Sequence, residues 1–159
     1  MSLLSKFVKR KPILIAAAMA GEIKPISQSP DPVFAEKTLG DGYVVFPSDG
    51  HVYAPADGKI EALFPTGHAV GMKLNSGVEV LIHIGIDTVK LDGEGFTQHV
   101  KIGDSVEKGK LLVTVDLELI RRKGLSTATP VVISDPKDKK IELIKEGNVA
   151  AGEFVLSLI

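Results

Sequence analysis

The chain of 159 residues contains no cysteine and no tryptophan, and it has only three arginines. Without cysteine it can form no disulfide framework, no thiolate metal site and no cysteine nucleophile, and we expect it to act in a reducing cytoplasm. No glycine-rich loop ends in Gly-Lys-Ser or Gly-Lys-Thr, and the few arginines offer little to hold a nucleotide. These absences argue against an ATP-dependent kinase.

Charge is nearly balanced over the whole chain but is unevenly distributed. Nineteen basic and twenty acidic residues give a net charge of −1, so we expect no nucleic-acid partner. The 44% hydrophobic and 25% charged residues are typical of one globular domain, which we expect to span residues 13–159. Residues 1–12 form a separate basic segment without an acidic residue, containing Lys6, Lys9, Arg10 and Lys11.

The basic segment, residues 1–12, has the pattern of a short interfacial helix, because its apolar and basic side chains fall on opposite sides of a helical wheel. The apolar side consists of Leu3, Leu4, Phe7 and Val8. A helix of this length is marginal in water. Two hypotheses therefore stay open for the segment, a frayed and solvated terminus or a weak contact with a membrane surface.

Composition predicts an all-β protein. Valine and isoleucine supply 31 residues, and 16 glycines and nine prolines interrupt the chain at short intervals. Helical periodicity is scarce, and we expect one or two short helices. The clearest candidate follows Asp116 as an N-cap and stops at Gly124.

Two pairs of segments repeat a pattern. Ala17–Ile23 and Ala54–Ile60 share alanine, glycine and isoleucine at the same spacing. Lys101–Gly109 and Lys145–Gly152 each place a valine between two glycine turns. An internal duplication of short strands is therefore expected. The pattern of turn, valine and turn resembles the barrel-sandwich hybrid motif of biotinyl and lipoyl carrier domains, so the expected fold is an antiparallel β-sandwich of this duplicated type.

A carrier domain is one alternative function, because biotinyl and lipoyl domains display a modified lysine on a hairpin. The candidate is Lys73 in Gly71–Leu74. It has methionine on one side only, as Met72, where a biotin site has methionine on both sides, and it lacks the acidic residues that precede such a site. A lysine between apolar neighbours is more often the outward residue of a strand, so this alternative is the weaker one.

One histidine lies inside the most apolar part of the sequence. From Val80 to Ile86 only His83 and Gly85 interrupt an apolar run, which predicts a strand covered on both faces. A lone histidine at such a place is most often satisfied by a backbone carbonyl. A second histidine, His68, precedes it in the neighbouring predicted strand, and this pairing favours a functional site.

The turn between these strands decides whether the two histidines meet. If Ser76–Gly77 is a two-residue loop, Val70 lies opposite His83, and His68 shares the face of His83 as its diagonal neighbour. A shift of one residue would place the two histidines on opposite faces. Thr66, two residues before His68, would present its hydroxyl on the same side and could orient that ring.

Two imidazoles and a hydroxyl suit phosphoryl transfer through a covalent intermediate. A neutral imidazole is a nucleophile at physiological pH if one nitrogen is held as a donor and the other keeps its lone pair. We expect His83 to attack phosphorus. An N–H of His68 can stabilise the phosphoryl oxygens. It binds them less strongly than a pair of arginines would, so the phosphoryl group is not trapped.

The sequence resembles the glucose-specific enzyme IIA domain of the bacterial phosphoenolpyruvate-dependent sugar phosphotransferase system. Gly77–Val89 agrees with the phosphorylation-site signature of that family. Further similar segments are Pro32–Lys37, Gly40–Gly42, Asp92–Phe96 and Thr129–Ile133. The resemblance implies that His83 is phosphorylated on Nε2, that His68 is the second active-site histidine, and that Thr66 lies beside it.

The resemblance also implies partners. The histidine phosphocarrier protein HPr would donate the phosphoryl group, and a cysteine of the IIB domain of a glucose-type permease would accept it, coupling sugar uptake to phosphorylation. No cofactor would be required. In the family the dephosphorylated form also regulates other proteins, and the histidine pair, here His68 and His83, can hold zinc when a partner supplies a carboxylate. An apolar rim would comprise Val33, Phe34, Leu39, Phe64 and Val70, with acidic Asp31 and Asp87; plain core and turn positions are the alternative for these residues.

A zinc hydrolase of a related sandwich fold is the second alternative. Such a site needs three protein ligands and a bound water. His51 and His99 are available besides the histidine pair, but no His-x-His or His-Glu-x-x-His spacing is present. We expect both to be surface or strand-end residues.

Overall fold

The computed structural model describes residues 11–159, and strands dominate this part of the chain. Fourteen strands alternate with two short α-helices and two 3₁₀ turns, which confirms the predicted all-β class. The strands are β1 (Ile13–Ala16), β2 (Gly21–Pro25), β3 (Asp41–Pro47), β4 (His51–Tyr53), β5 (Gly58–Leu63), β6 (Ala69–Leu74), β7 (Glu79–His83), β8 (Phe96–Gln98), β9 (Ser105–Val106), β10 (Leu111–Val115), β11 (Thr129–Asp135), β12 (Ile141–Leu143), β13 (Gly147–Val149) and β14 (Phe154–Leu158). The helices are α1 (Pro32–Ala35) and α2 (Leu117–Arg122), and the 3₁₀ turns are Ile26–Gln28 and Thr88–Leu91.

The strands form one large and two small sheets, and the pairs are antiparallel. The eight-stranded sheet has the order β13-β2-β3-β11-β7-β6-β5-β9, and the three-stranded sheets have the orders β1-β14-β12 and β4-β10-β8. The main core takes side chains from all three sheets. The predicted antiparallel sandwich is therefore confirmed. Among residues 11–159, no helix is long and apolar enough to cross a membrane.

The internal duplication predicted from the sequence is visible in the pairing. Gly21 of β2 lies opposite Val149 of β13, and Gly58 of β5 lies opposite Val106 of β9. In both copies the second glycine of the turn donates its amide to the alanine that opens the paired segment, over 2.9 Å. The two repeated patterns are thus partners within each copy.

The helix predicted after Asp116 is present as α2. The carboxylate of Asp116 accepts a hydrogen bond from the Leu119 amide over 3.1 Å, as an N-cap does. Arg121 and Arg122 lie in its last turn, where positive charge complements the helix dipole. The chain then leaves the helix at Gly124, which has a φ of 75°.

The large sheet is covered by apolar side chains on both faces at its centre. Along β7, Val80 and Ile82 point into the main core, and Leu81 between them packs on a smaller cluster. The buried residues of this smaller cluster are Ile26, Phe34, Val44, Ala128 and Val132. His83 has the same parity as Leu81, so it lies at the margin of the smaller cluster rather than in the main core.

Candidate phosphoryl-transfer site

The β6–β7 hairpin has a register that differs by one residue from the predicted one. Ala69, not Val70, lies opposite His83. The loop has three residues, 75–77, because the amide of Leu74 donates to the carbonyl of Val78 over 2.8 Å. Its last residue, Gly77, has a φ of 91°. The prediction of a two-residue loop was therefore wrong. A three-residue loop with a left-handed glycine is another standard hairpin connection, and the sequence is compatible with both.

The two histidine rings nevertheless meet. Their centroids are 5.4 Å apart, and the ring planes are inclined by 76°. Strand alternation does not govern His68, because β6 begins only at Ala69 and Gly67, with a φ of 77°, bends the chain before it. The carbonyl of His68 accepts a hydrogen bond from the Ile84 amide over 2.7 Å, which fixes the bend against the end of β7.

The ring of His83 is held in one orientation by a carbonyl two residues further on. Nδ1 lies 2.7 Å from the carbonyl oxygen of Gly85. A carbonyl can only accept, so the proton of the neutral ring resides on Nδ1 and the lone pair on Nε2. Strand β7 ends at His83, short of the predicted Ile86, because Gly85 has a φ of 73° and turns the chain back towards the ring.

The turn at Gly85 has no room for a side chain. A Cβ at this position would lie 2.5 Å from Cγ2 of Thr88. Only glycine combines this close approach with the left-handed backbone. The apolar run around His83 gave no indication that the Gly85 carbonyl would be the partner of the ring; the one available signal was a glycine two residues after the histidine.

The ring of His68 is buried and is bonded to Thr66. Nδ1 lies 2.5 Å from Oγ1 of Thr66, and 6% of His68 is exposed. A hydroxyl can donate to an unprotonated ring nitrogen. With Thr66 as the donor, the proton of neutral His68 lies on Nε2. The structure thus brings together His83, His68 and Thr66, the three residues that the sequence analysis placed at the reacting centre.

Two phenylalanines flank the histidine pair. Phe34 of α1 lies against His83 with a centroid separation of 5.1 Å, and Phe64 lies against His68 at 5.2 Å. Phe34 is buried, whereas 48% of Phe64 is exposed. The apolar walls restrict each ring, and Phe64 extends the apolar character to the surface.

The structure exposes only some of the residues of the predicted apolar rim. Val33 and Leu39 are exposed, as surface contact residues must be. Val70 is fully buried in the main core, so its assignment to the rim was wrong. The reason is the register: Val70 lies opposite Ile82, which faces the main core, and not opposite His83.

Two carboxylates lie near the His83 ring. Asp31 caps α1 by accepting a hydrogen bond from the Val33 amide over 2.9 Å. Asp87 has a left-handed backbone and pairs with Lys90 over 3.9 Å at the surface. Burial lowers the pKa of His83 below its usual value; the Gly85 carbonyl, Asp31 and Asp87 oppose that shift. Both carboxylates therefore favour positive charge on the ring.

The pKa of His68 is also lowered, first by burial and then by the neighbouring His83 ring. Both imidazoles are accordingly neutral at pH 7, the state in which Nε2 of His83 is a nucleophile. Since both rings resist protonation in the folded protein, both stay uncharged throughout the neutral range.

These lowered pKa values predict an acid-side loss of stability. Below about pH 6.5 an unfolded chain protonates both histidines while the folded chain does not, so the free energy of unfolding falls as the pH decreases. Urea denaturation at about pH 7.5 and about pH 5.5 measures this fall. A His68→Gln/His83→Gln double variant is expected to lose less stability over the same interval; an equal loss would contradict the prediction.

The remaining histidines and Lys73 lie outside this group. The His51 ring bonds Asp49 over 3.1 Å, and Nε2 of His99 lies 2.7 Å from the Thr114 hydroxyl. No group of three histidine, aspartate or glutamate side chains within residues 11–159 is arranged to hold a metal ion. Lys73 is an exposed residue of β6 opposite Glu79. The basic segment at residues 1–12 lies largely outside the described residues.

Comparisons with known proteins show which family this chain is similar to. The model of the family described as phosphoenolpyruvate-dependent sugar phosphotransferase system, EIIA 1, matches residues 13–139. The solved structure of glucose permease IIA from Mycoplasma capricolum has 39% sequence identity and a TM-score of 0.89, covering 93% of this chain and 96% of that chain. Two structures of Helicobacter pylori Csd3 match at 16% and 13% identity, with TM-scores of 0.43 and 0.41, covering 79% and 80% of this chain and 32% and 30% of theirs.

Proposed function

The chain belongs to the EIIA 1 family of the phosphoenolpyruvate-dependent sugar phosphotransferase system, and from that membership we propose that His83 accepts a phosphoryl group on Nε2 and passes it on. The chain is a phosphocarrier of sugar transport. The observation that carries the proposal for His83 is its hydrogen bond to the Gly85 carbonyl, which leaves Nε2 unprotonated beside the ring of His68.

The proposed transfer balances without a cofactor. The lone pair of His83 Nε2 forms a bond to phosphorus while the bond between phosphorus and the donor histidine breaks, leaving its electron pair on the donor nitrogen. The proton on Nδ1 stays in place. Positive charge develops on the His83 ring, where the Gly85 carbonyl, Asp31 and Asp87 stabilise it.

His68 has a different task from His83. With Thr66 donating to its Nδ1, the Nε2–H of His68 is available to the phosphoryl oxygens. A single neutral donor stabilises these oxygens without holding them as strongly as an arginine pair would. The phosphoryl group therefore stays reactive: the thiolate of the accepting cysteine supplies the electron pair of the new bond to phosphorus, and the pair of the broken phosphorus–nitrogen bond returns to Nε2 of His83.

We propose HPr as the donor and the IIB domain of a glucose-type permease as the acceptor. Phe64 presents exposed apolar surface beside His68, and Val33, next to Phe34 in α1, and Leu39 are also exposed. Asp31 and Asp87 add negative charge. A surface of this kind suits short-lived complexes with partners that bring positive charge. Both reactions would occur in the cytoplasm, and residues 13–159 would form the domain that carries them out.

The histidine pair would also bind zinc in complexes with regulated proteins. His68 and His83 supply two imidazoles at one place, whereas a zinc site with a bound water needs three protein ligands. Zinc would therefore be held only when a partner adds a carboxylate. Regulated proteins would dock on the same apolar and acidic surface, in competition with HPr.

The proposed function is tested by reconstitution. The purified chain is incubated with phosphoenolpyruvate, enzyme I and HPr, and phosphorylation is followed by intact mass; a IIB domain is then added. We expect one phosphoryl group on the chain, dependent on HPr and lost to IIB. A chain that stays unlabelled, or that is labelled on Lys73, would overturn the proposal.

A further inference from the structure

We propose that Thr129 is a positioning residue for this transfer: it holds the loop whose carbonyl assigns the proton of His83 to Nδ1. The proposal rests on the proposed role of His83. Thr129 opens β11 and is fully buried. It does not touch the phosphoryl group, and it acts only through the backbone of Gly85.

The hydroxyl of Thr129 connects two backbone groups. It donates to the carbonyl of Thr127 over 3.0 Å and accepts from the amide of Gly85 over 3.3 Å. Because its one proton is committed to Thr127, a lone pair is left for the Gly85 amide. The hydroxyl is thereby an oriented acceptor rather than a free rotor.

The peptide that follows is held from the same segment. The carbonyl of Gly85 belongs to the peptide whose amide is that of Ile86, and this amide donates to the carbonyl of Ser126 over 3.0 Å. Both amides that flank Gly85 are therefore bound to the segment Ser126–Thr129. These two bonds orient the Gly85 peptide, and its carbonyl lies 2.7 Å from Nδ1 of His83.

A side chain is needed here because the strand ladder ends. Strands β7 and β11 pair through their backbones as far as Ile82 opposite Val131. Gly85 has a left-handed backbone and lies beyond the end of β7, and its amide donates to the Thr129 hydroxyl. The hydroxyl of Thr129 replaces the missing backbone acceptor. Valine has nearly the same shape but no acceptor, so it isolates this contribution.

The consequence for catalysis concerns the tautomer of His83. A neutral imidazole can carry its proton on either nitrogen, and only the Nδ1–H form has a lone pair on Nε2. If the Gly85 peptide loses its anchor, the carbonyl no longer dictates this form. The fraction of reactive rings then falls, although no group that touches the phosphoryl is changed.

Thr129→Val is the test variant, and Tyr43→Phe is the matched control. The Tyr43 hydroxyl is equally buried on the neighbouring β3, where it accepts from the Ala18 amide over 2.9 Å and donates to the Ala16 carbonyl over 3.0 Å. Both variants thus lose one buried hydroxyl that bridges two backbone groups. Of the two hydroxyls, the one on Thr129 is bonded to Gly85, whose carbonyl accepts from the His83 ring.

Two readouts separate a positioning role from a general loss of stability. Nitrogen-15 NMR of the ring reports the tautomer of His83, and rapid-quench kinetics reports phosphoryl acceptance from HPr. We expect Thr129→Val to lower the Nδ1–H fraction and to slow acceptance by roughly tenfold or more. Thr129→Ser and Tyr43→Phe should keep the wild-type tautomer. A Thr129→Val variant with the tautomer and rate of Tyr43→Phe would overturn the proposal.

The tautomer measurement needs no phosphoryl donor, so it decides the role of Thr129 even if His83 proves not to be phosphorylated. That second failure would appear separately, as an unlabelled wild-type chain. If Thr129→Val does not fold, hydrogen exchange of the Gly85 amide in the wild-type protein tests whether Thr129 anchors the loop. Slow exchange supports the anchor, and exchange as fast as that of an exposed amide overturns it.

Discussion

Replacing His83 with alanine is expected to abolish phosphoryl acceptance from HPr, reducing it to the background of a reaction without the chain. The variant removes Nε2, the one atom that the site presents as a nucleophile with its lone pair held free by the Gly85 carbonyl. The buried His68 does not substitute, because its Nδ1 is engaged by Thr66. Intact mass after incubation with phosphoenolpyruvate, enzyme I and HPr measures the loss.

His51→Ala is the control for this experiment. His51 is exposed on β4 and bonds Asp49, away from the described histidine pair. Its replacement removes one imidazole from the chain and should leave acceptance unchanged. Labelling of the His83→Ala variant at the wild-type level would show that the phosphoryl group is carried elsewhere.

His68→Gln is expected to separate the two half-reactions. Glutamine keeps an amide donor of similar reach, so acceptance on His83 survives. An amide cannot take a proton, whereas the imidazole can become cationic when the phosphoryl dianion and a thiolate approach together. We therefore expect a labelled variant whose onward transfer to IIB is slower by about 10²-fold.

The onward step is measured by isolating the phosphorylated variant and timing the loss of label after addition of IIB. His99→Gln is the matched substitution, because His99 is an exposed ring bonded to Thr114 rather than to the active pair. It should transfer at the wild-type rate. A His68→Gln protein that also discharges at that rate would leave His68 without a role in the chemistry.

The parts of the fold that local chemistry determines could be predicted from the sequence. Asp116 and Gly124 bound α2 because a capping carboxylate and a left-handed glycine act within a few residues of each other. The duplicated segments could be recognised for a similar reason: turn glycines recur with the strands that they connect. Both features can be recognised in the sequence without knowledge of the residues that pack against them.

The geometry of the site could not be predicted in the same way. The hairpin register depends on whether two or three residues form the loop before Val78, and the pattern of alternating side chains is compatible with either. A change of one residue in the loop length changes which β6 residue lies opposite each β7 residue. Val70 therefore lies in the core and not at the expected rim. His68 still lies beside His83, as predicted, but because the chain bends at Gly67 and not because of the strand register.

Two further elements were hidden for physical reasons. Helix α1 has four residues, too few for periodicity to mark it, although Asp31 before Pro32 is an N-terminal signal. The hydroxyl of Thr129 acts across the sheet on Gly85, at a separation of 44 residues in the chain. Contacts of this range depend on the completed fold.

The most direct measurement of the central claim is the site of the phosphorus–nitrogen bond in the wild-type chain. Phosphorus-31 and nitrogen-15 NMR of the chain, phosphorylated through HPr and labelled in its histidines, identifies the ring and the nitrogen that carry phosphorus. The account predicts one phosphoryl group on Nε2 of His83, with Nδ1 still protonated. A phosphoryl group on Nδ1 of His83, or on any nitrogen of His68, would contradict it.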